Sequence, residues 1–465
     1  MRDIFLLLVA LAYAFGGTTA PFVFGLGYLW TDYFNPQLVA YSFMRIVPVS
    51  LLMALSAALA YLLSTKQPTK IVPGIWLLIV WAAWITLTTT WAEVPEDAWP
   101  TWDWSFKTVC FAAFLPFLFK SRVQLEAMLL TIAIGVSGSL LAYSIKTLVS
   151  GGRYGASLSL IGGNSGLGEE ATLACVAIAI IPILLHYHRH SLLIKNRFVS
   201  LGLFYGLSAA AVVAALGTFE RTGLIALIVF AVLQWWNTRR KLSIGVAYIL
   251  LLSMSGYLLS DSWFARMETI QHPQGDVSAM GRLAVWAWDI DYAMSHPWGG
   301  GFNVFEINHI SIPIQNSPTA APKMVEQSAR APHSIYFQVL SEHGIVGALI
   351  FAVILTAFFA NVRRIRRKAG SDHELDWASS LARSLSASGI IYLCGGAFTG
   401  IAFQPFLYDL IAAGVILNQI MRNLAATNPA QSATSTLGGG AQRRLTEFPN
   451  RPVVSTAKPA FSESP

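Results

Sequence analysis

Four side chains carry the chemistry that this sequence offers: Arg221, Arg282, His333 and Tyr336. Arg282 opens a segment, Arg282 to Met294, in which Leu283, Val285, Trp286 and Ile290 recur at roughly helical spacing. A guanidinium fork there either faces water or holds phosphate oxygens through two parallel hydrogen bonds. Arg221 lies in the short turn Gly217-Thr218-Phe219-Glu220-Arg221-Thr222-Gly223 between two apolar runs, which sets it at a membrane face. It either pairs with Glu220 at a helix end or joins Arg282 in a metal-free diphosphate clamp. His333 follows Pro332 at the start of an apolar run. Its ring is either a hydrogen-bonded structural group or, with an ordinary pKa of about 6.5, a base that takes a proton near neutral pH. Tyr336, three residues on and on the same helical face, is a candidate substrate-binding hydroxyl.

These residues belong to a chain that composition assigns to a membrane. Of 465 residues, 55% are hydrophobic and only 12% charged, and the mean hydropathy is +0.55, outside the range of soluble globular proteins. The net charge of +7 does not point to nucleic acid, because Lys and Arg sit in short clusters between apolar runs, where they set membrane orientation. Cys110, Cys175 and Cys394 lie far apart inside apolar segments, so neither a disulfide framework nor a zinc site follows.

Apolar runs of roughly 20 residues, enough to cross a bilayer, fall near 43–64, 72–91, 105–119, 126–148, 169–187, 198–217, 222–238, 242–260, 335–361, 381–401 and 405–421. The first run, 3–30, is broken by Gly16-Gly17-Thr18-Thr19 and reads as one tilted span or as a helix with a re-entrant piece. The expectation is an all-α polytopic membrane protein of about 12 transmembrane helices with one large periplasmic loop containing short helices. The divisions are N-terminal transmembrane helices over 1–260, the periplasmic loop over 261–334, C-terminal transmembrane helices over 335–421 and a disordered cytoplasmic tail over 422–465. Basic clusters such as Arg239-Arg240-Lys241 and Arg363 to Lys368 mark the cytoplasmic side, which puts both termini inside and the polar chemistry outside. Trp91, Trp99, Trp102 and Trp104 around the acidic stretch Glu93 to Trp104 read as an interfacial belt on an outer loop.

Two motifs are set aside. Asp289-Ile290-Asp291 spells a metal-binding pair of nucleotide-sugar enzymes, but such a short match is common by chance. His186, His188 and His190 flank Arg189 at a cytoplasmic helix end and read as interfacial groups rather than metal ligands.

The longest polar break runs from Gly281 to Gly347. It contains Arg282 and Trp286, then His296-Pro297-Trp298-Gly299-Gly300-Gly301-Phe302, His333 and Tyr336, and Glu342-His343-Gly344-Ile345-Val346-Gly347. In this order and spacing the chain resembles the bacterial O-antigen ligase and polymerase superfamily. Met1-Arg2-Asp3, Tyr33-Phe34-Asn35-Pro36-Gln37, Asn164-Ser165-Gly166-Leu167 and Glu220-Arg221-Thr222-Gly223 are similar to O-glycosylation ligases associated with the exosortase A system. The resemblance implies an inner-membrane, metal-independent, inverting glycosyltransferase without a cofactor. Its donor would be a polyprenyl-diphosphate-linked glycan and its acceptor a glycan, lipid or protein hydroxyl. It implies His333 as the base and Arg221 and Arg282 as diphosphate ligands. Many such ligases carry His-Asn where this chain has His333-Ser334. A repeat-unit polymerase and a lipid-linked glycan transporter or flippase are the rival expectations.

Overall fold

Short local signals start the helices of this chain. Pro73 and Pro95 sit at the first positions of α5 (Pro73–Thr89) and α6 (Pro95–Leu118), where a missing N–H costs nothing. The Asn196 side chain accepts from the amides of Phe198 and Val199 and caps α9 (Arg197–Gly217). The computed structural model describes residues 1–64, 72–150, 167, 169–238, 277–314, 323–370 and 372–427, with eight isolated positions between 241 and 253. Most of the expected span 242–260, the Asn164-Ser165-Gly166 motif and nearly all of the tail lie outside the described residues.

The remaining helices are α1 (Arg2–Thr19), α2 (Phe22–Phe34), α3 (Pro36–Val39), α4 (Val49–Leu63), α7 (Arg122–Ser150), α8 (Glu170–His190), α10 (Arg221–Asn237), α11 (Val277–Ser295), α12 (Ile335–Ala369), α13 (Asp376–Gly396) and α14 (Pro405–Thr427). Each expected apolar run outside 242–260 falls on a helix. Among the described residues, α1, α7, α8, α9 and α12 are long and apolar enough to cross a membrane, and α4, α5 and most of α10 are shorter apolar helices. Helix α8 is the centre: every residue from Ala171 to Leu184 is buried, against α9, α10 and α13. Small residues permit that approach, since a Cβ on Gly395 would sit 2.5 Å from the Cys175 sulfur.

The first apolar run is two helices, not one. Phe24 lies where a Cβ on Gly17 would be, and the Thr18 and Thr19 hydroxyls turn back onto the carbonyls of Phe15 and Gly16. The chain therefore folds into a hairpin, and the Asp3 carboxylate accepts the amides of Tyr41 (3.0 Å) and Ser42 (2.8 Å) just beyond its second arm. The Trp-rich stretch is likewise not a loop: Trp99, Trp102 and Trp104 ride on α6, with Glu96 and Asp97 favourably placed in its first turn.

The polar region after α10 corrects the expectation of short helices alone. Helix α11 is 19 residues long, and it is followed by an antiparallel pair, β1 (His309–Ile314) and β2 (Lys323–Ser328), in register Ile312↔Val325. Ile310 and Ile312 alternate inward onto Val285 of α11. Asn308 ties the strand to the segment that follows β2, donating to the Arg330 carbonyl (2.7 Å) and accepting the Arg330 amide (3.0 Å).

Helix α12 is broken at Gly344 (φ 70°, ψ −173°), and the glycine-rich loop of residues 297–301 repairs the break. The amides of Gly300 and Gly301 donate to the carbonyls of Ser341 (3.1 Å) and Glu342 (2.8 Å), and the Ile345 amide donates to Pro297 (2.9 Å). Outside the loop, the Trp91 indole donates to the Gly299 carbonyl and the Glu93 amide to that of Gly300. Gly301 (φ 78°) has no room for a side chain, since a Cβ would lie 2.5 Å from that of Ala92. Gly301→Ala should therefore destabilise the protein by about 2 kcal/mol or more, read as a lower Tm in detergent. Gly202→Ala, where a Cβ meets nothing within 4 Å on α9, should leave the Tm unchanged or slightly raised. Equal Tm values for the two would exclude the clamp as a stabilising element.

Candidate functional site

Where α12 begins, the chain is held by Trp286 of α11. The Trp286 indole donates to the Pro332 carbonyl (2.8 Å) and its ring stacks on Phe337, 4.9 Å between centroids, with Phe398 beyond at 6.1 Å. Trp286 lies one turn after Arg282 on α11, so this contact brings Arg282 to His333. His333 has φ 47°, and Phe219, just before Glu220, has φ 60°. For non-glycine residues such conformations cost roughly 1–3 kcal/mol each and persist where surrounding contacts over-determine them.

The result is a cavity of about 280 Å³ lined by Arg282, His333, Glu169, Glu170, Glu220 and Thr399, with Phe398 and Ala171 completing its wall. Its residues come from α11, from the link between α13 and α14, and from the starts of α8, α10 and α12. Helix starts carry unsatisfied N–H groups and partial positive charge, and at two of the three starts at this cavity the chain's own carboxylates meet that charge, with Glu169 and Glu220 at N-cap positions and Glu170 in a first turn. Charged groups of both signs line the site, and Glu170, Glu220, Arg221 and Arg282 each engage a neighbour. The Thr399 hydroxyl and that of Ser334, next to His333, are buried and have no hydrogen-bond partner among the described residues. Buried hydroxyls of this kind are ready to bond a ligand.

Burial, and after it the charges of Arg282 and Arg330, hold the His333 imidazole below its usual 6.5. The ring is therefore neutral at physiological pH and free to accept a proton. A volume of 280 Å³ lies at the lower edge of ligand pockets, about 300–1,000 Å³. It suits a compact headgroup better than a whole oligosaccharide.

Of the four sequence candidates, Arg282 and His333 meet in the cavity. Arg221 opens α10 directly after Glu220, and it is Glu220 that forms the wall. Tyr336 stands apart from the lining, its hydroxyl donated to the Leu393 carbonyl at 3.1 Å. Sequence reasoning missed Glu169, Glu170, Phe398 and Thr399. The adjacent pair of carboxylates at the start of an apolar run was the available signal for the first two. The aspartates of Asp289-Ile290-Asp291 point to different surroundings: Asp291 is exposed, whereas Asp289 is buried and its carboxyl pushed up to about 7 by lost solvation, against a smaller pull from Ser341.

Residues 1–192 match a family of unknown function (DUF5935). No curated protein matches the chain. Residues 206–352, which hold Arg221, Arg282, His333 and Tyr336, match the family model described as O-antigen ligase, and this supports a ligase- or polymerase-like role in polysaccharide biosynthesis for a multi-pass membrane protein.

Proposed function

We propose that the chain is an O-antigen ligase-like glycosyltransferase. It moves a glycan from a polyprenyl-diphosphate carrier to an acceptor hydroxyl at the periplasmic face of the inner membrane. The observation that carries this reading is the meeting of Arg282 and His333, remote in sequence, in one cavity faced by three helix starts.

In this reaction the acceptor hydroxyl gives its proton to neutral His333, and its oxygen forms a bond to the anomeric carbon. The bond from that carbon to the diphosphate oxygen breaks, and the electron pair leaves with the lipid diphosphate. Attack opposite the leaving group inverts the anomeric centre. Arg282, the helix-start amides and the Thr399 hydroxyl take up the charge growing on the diphosphate, a term worth several kcal/mol in a preorganised site. By the likeness to O-antigen ligases, Arg221, in the first turn of α10 next to the lining residue Glu220, would hold the outer phosphate. The guanidinium groups supply the positive charge, so no metal is needed. The acceptor is a glycan, lipid or protein hydroxyl, and the likeness to exosortase A-associated ligases makes a protein Ser or Thr the first one to try.

Orientation follows from charge. Arg122, which donates to the His190 carbonyl (2.8 Å), and the Arg363 to Lys368 cluster at the end of α12 lie at helix ends opposite the cavity, and such ends face the cytoplasm. The α1–α2 hairpin returns to its start, and the end of α2 shares a cavity with Gln404 in the α13–α14 link. This favours a periplasmic N-terminus over the cytoplasmic one expected from the sequence. A cysteine introduced beside Met1 should react with a membrane-impermeant maleimide in intact spheroplasts. Labelling only after lysis would reverse the assignment.

With purified protein in detergent and a defined lipid-linked donor, His333→Ala should lower transfer by about a hundred- to ten-thousandfold. Arg282→Ala should lower it by about a hundred- to a thousandfold. Arg221→Lys keeps the charge but loses the fork, and should cost less than Arg282→Ala. Wild-type rates for folded Arg282→Ala and His333→Ala would end the transferase reading, and a pure transporter would show no transfer without a sealed bilayer.

Since His333 acts in its neutral form, kcat/KM should fall as pH drops through its depressed pKa, placing the acid limb below 6.5. Arg330→Gln removes one charge that depresses it and should move the limb upward. An unmoved limb in that variant would identify another group as the titrating base.

A further inference from the structure

A second cavity, of about 220 Å³, lies between the end of α2, α3, α6 and the start of α14. Its lining carries Asp32, Asn35, Gln37, Trp104 and Gln404, and no Lys or Arg is part of it among the described residues. The two cavities are neighbours along the chain twice over. Leu167 lines this one and Glu169 the other, and Gln404 follows Thr399 by five residues in the link between α13 and α14. That link is fixed in place, since the Tyr392 and Tyr408 hydroxyls donate to the carbonyls of Ile401 (2.8 Å) and Ala402 (2.9 Å).

The polar groups are arranged as acceptors on a rigid frame. The Asn35 amide nitrogen is committed to the Asp32 carbonyl (3.2 Å) and that of Gln37 to the Val47 carbonyl (2.5 Å), which leaves both amide oxygens for other donors. The Asp32 carboxylate makes no hydrogen bond to any described residue. Behind it, the Tyr33 hydroxyl donates to Asp409 at 2.8 Å and locks the end of α2 to α14. Trp104 is 37% exposed, so its indole is both part of the wall and open to contact. A carboxylate with no Lys or Arg beside it among the described residues disfavours phosphate, and four planar polar groups disfavour a lipid tail, whose entry would desolvate them unpaired. What these groups match is a ring with several hydroxyl donors on its edge and an apolar C–H face, which is a sugar.

We infer that the cavity formed by Asp32, Asn35, Gln37, Gln404 and Trp104 is a saccharide-binding subsite, in which carboxylate and amides take sugar hydroxyls and the indole covers a ring face. Its volume lies below the roughly 300–1,000 Å³ of drug-sized ligand pockets, which suits a sugar unit rather than a polymer. The assignment as part of a transfer site rests on the proposed function, whereas sugar binding itself does not. The sugar belongs either to the donor glycan or to the acceptor, and the chemistry is the same for both.

The test is binding of two free oligosaccharide preparations to purified full-length protein, followed by saturation-transfer NMR. One is released by mild acid from the host's polyprenyl-diphosphate pool, and the other is cut from the finished surface glycoconjugate at its acceptor end. Binding of the first assigns the subsite to the donor, and binding of the second assigns it to the acceptor. Asp32→Asn, nearly isosteric, should weaken binding at least tenfold, and Trp104→Ala should do so while Trp104→Phe retains most of it. Arg282→Ala, in the other cavity, should leave binding intact while transfer is lost. If neither preparation binds, or if folded Asp32→Asn and Trp104→Ala bind like wild type, the subsite is refuted. Asp32-dependent binding in a protein that transfers nothing would refute the transferase and leave the subsite standing.

Discussion

The carbonyls of Ser341 and Glu342 cannot be left without partners, and the architecture around the site follows from that constraint. Both residues are buried, and the turn of α12 that would satisfy them is broken at Gly344. Each orphaned carbonyl in such surroundings would cost about 1–3 kcal/mol. Supplying amides from residues 300 and 301 requires the 297–301 loop to lie along the break, which anchors the C-terminal end of α11. Once α11 is anchored there, Trp286 reaches Pro332 and Arg282 comes to His333. Distance along the chain is thus converted into proximity through backbone hydrogen bonds, not through contacts among the reactive groups themselves.

The electrostatics of the site depend on the same geometry. Arg282 and three helix starts bring positive charge to the cavity, and Glu169, Glu170 and Glu220, which stand at two of those starts, offset it. His333 is held neutral by burial and by arginines, so in the proposed reaction the charges that would meet a diphosphate would also keep the imidazole ready to take a proton. Left-handed backbone at His333 and Phe219, on two sides of the cavity, is the local cost of this arrangement.

Much of the helix layout was legible because apolar runs bounded by basic clusters survive any detail of packing. What escaped has identifiable physical causes. The α1–α2 hairpin hinges on glycines whose meaning depends on Val23 and Phe24 filling their space. Helix α6 begins with Pro95, Glu96 and Asp97, a start signal outweighed by the tryptophans that follow. The β-pair was hidden because Ile310 and Ile312 form a short alternation interrupted by Pro313, and its burial exists only against Val285. Arg282 and His333 were singled out from residue type and local pattern together with the family resemblance, and the fold brings the two to one cavity. Thr399 lacks any local pattern, and the Glu169-Glu170 pair, though it marks the start of an apolar run, gained its place in the site only when helix starts distant in sequence were assembled. The glycine-rich motif entered the sequence reading only as part of the family resemblance, while its role as a splint for α12 required the backbone angles of Gly344.

The modest size of the Arg282–His333 cavity bears on what the protein can measure. A space of about 280 Å³ would admit the linkage between lipid and sugar of the proposed donor but not the polymer beyond it. For a donor of the proposed kind, short and long chains would present the same junction to the same groups. If the chain is a ligase of the proposed kind, such a site would be blind to degree of polymerisation, and control over product length would be exerted before the carrier reaches it.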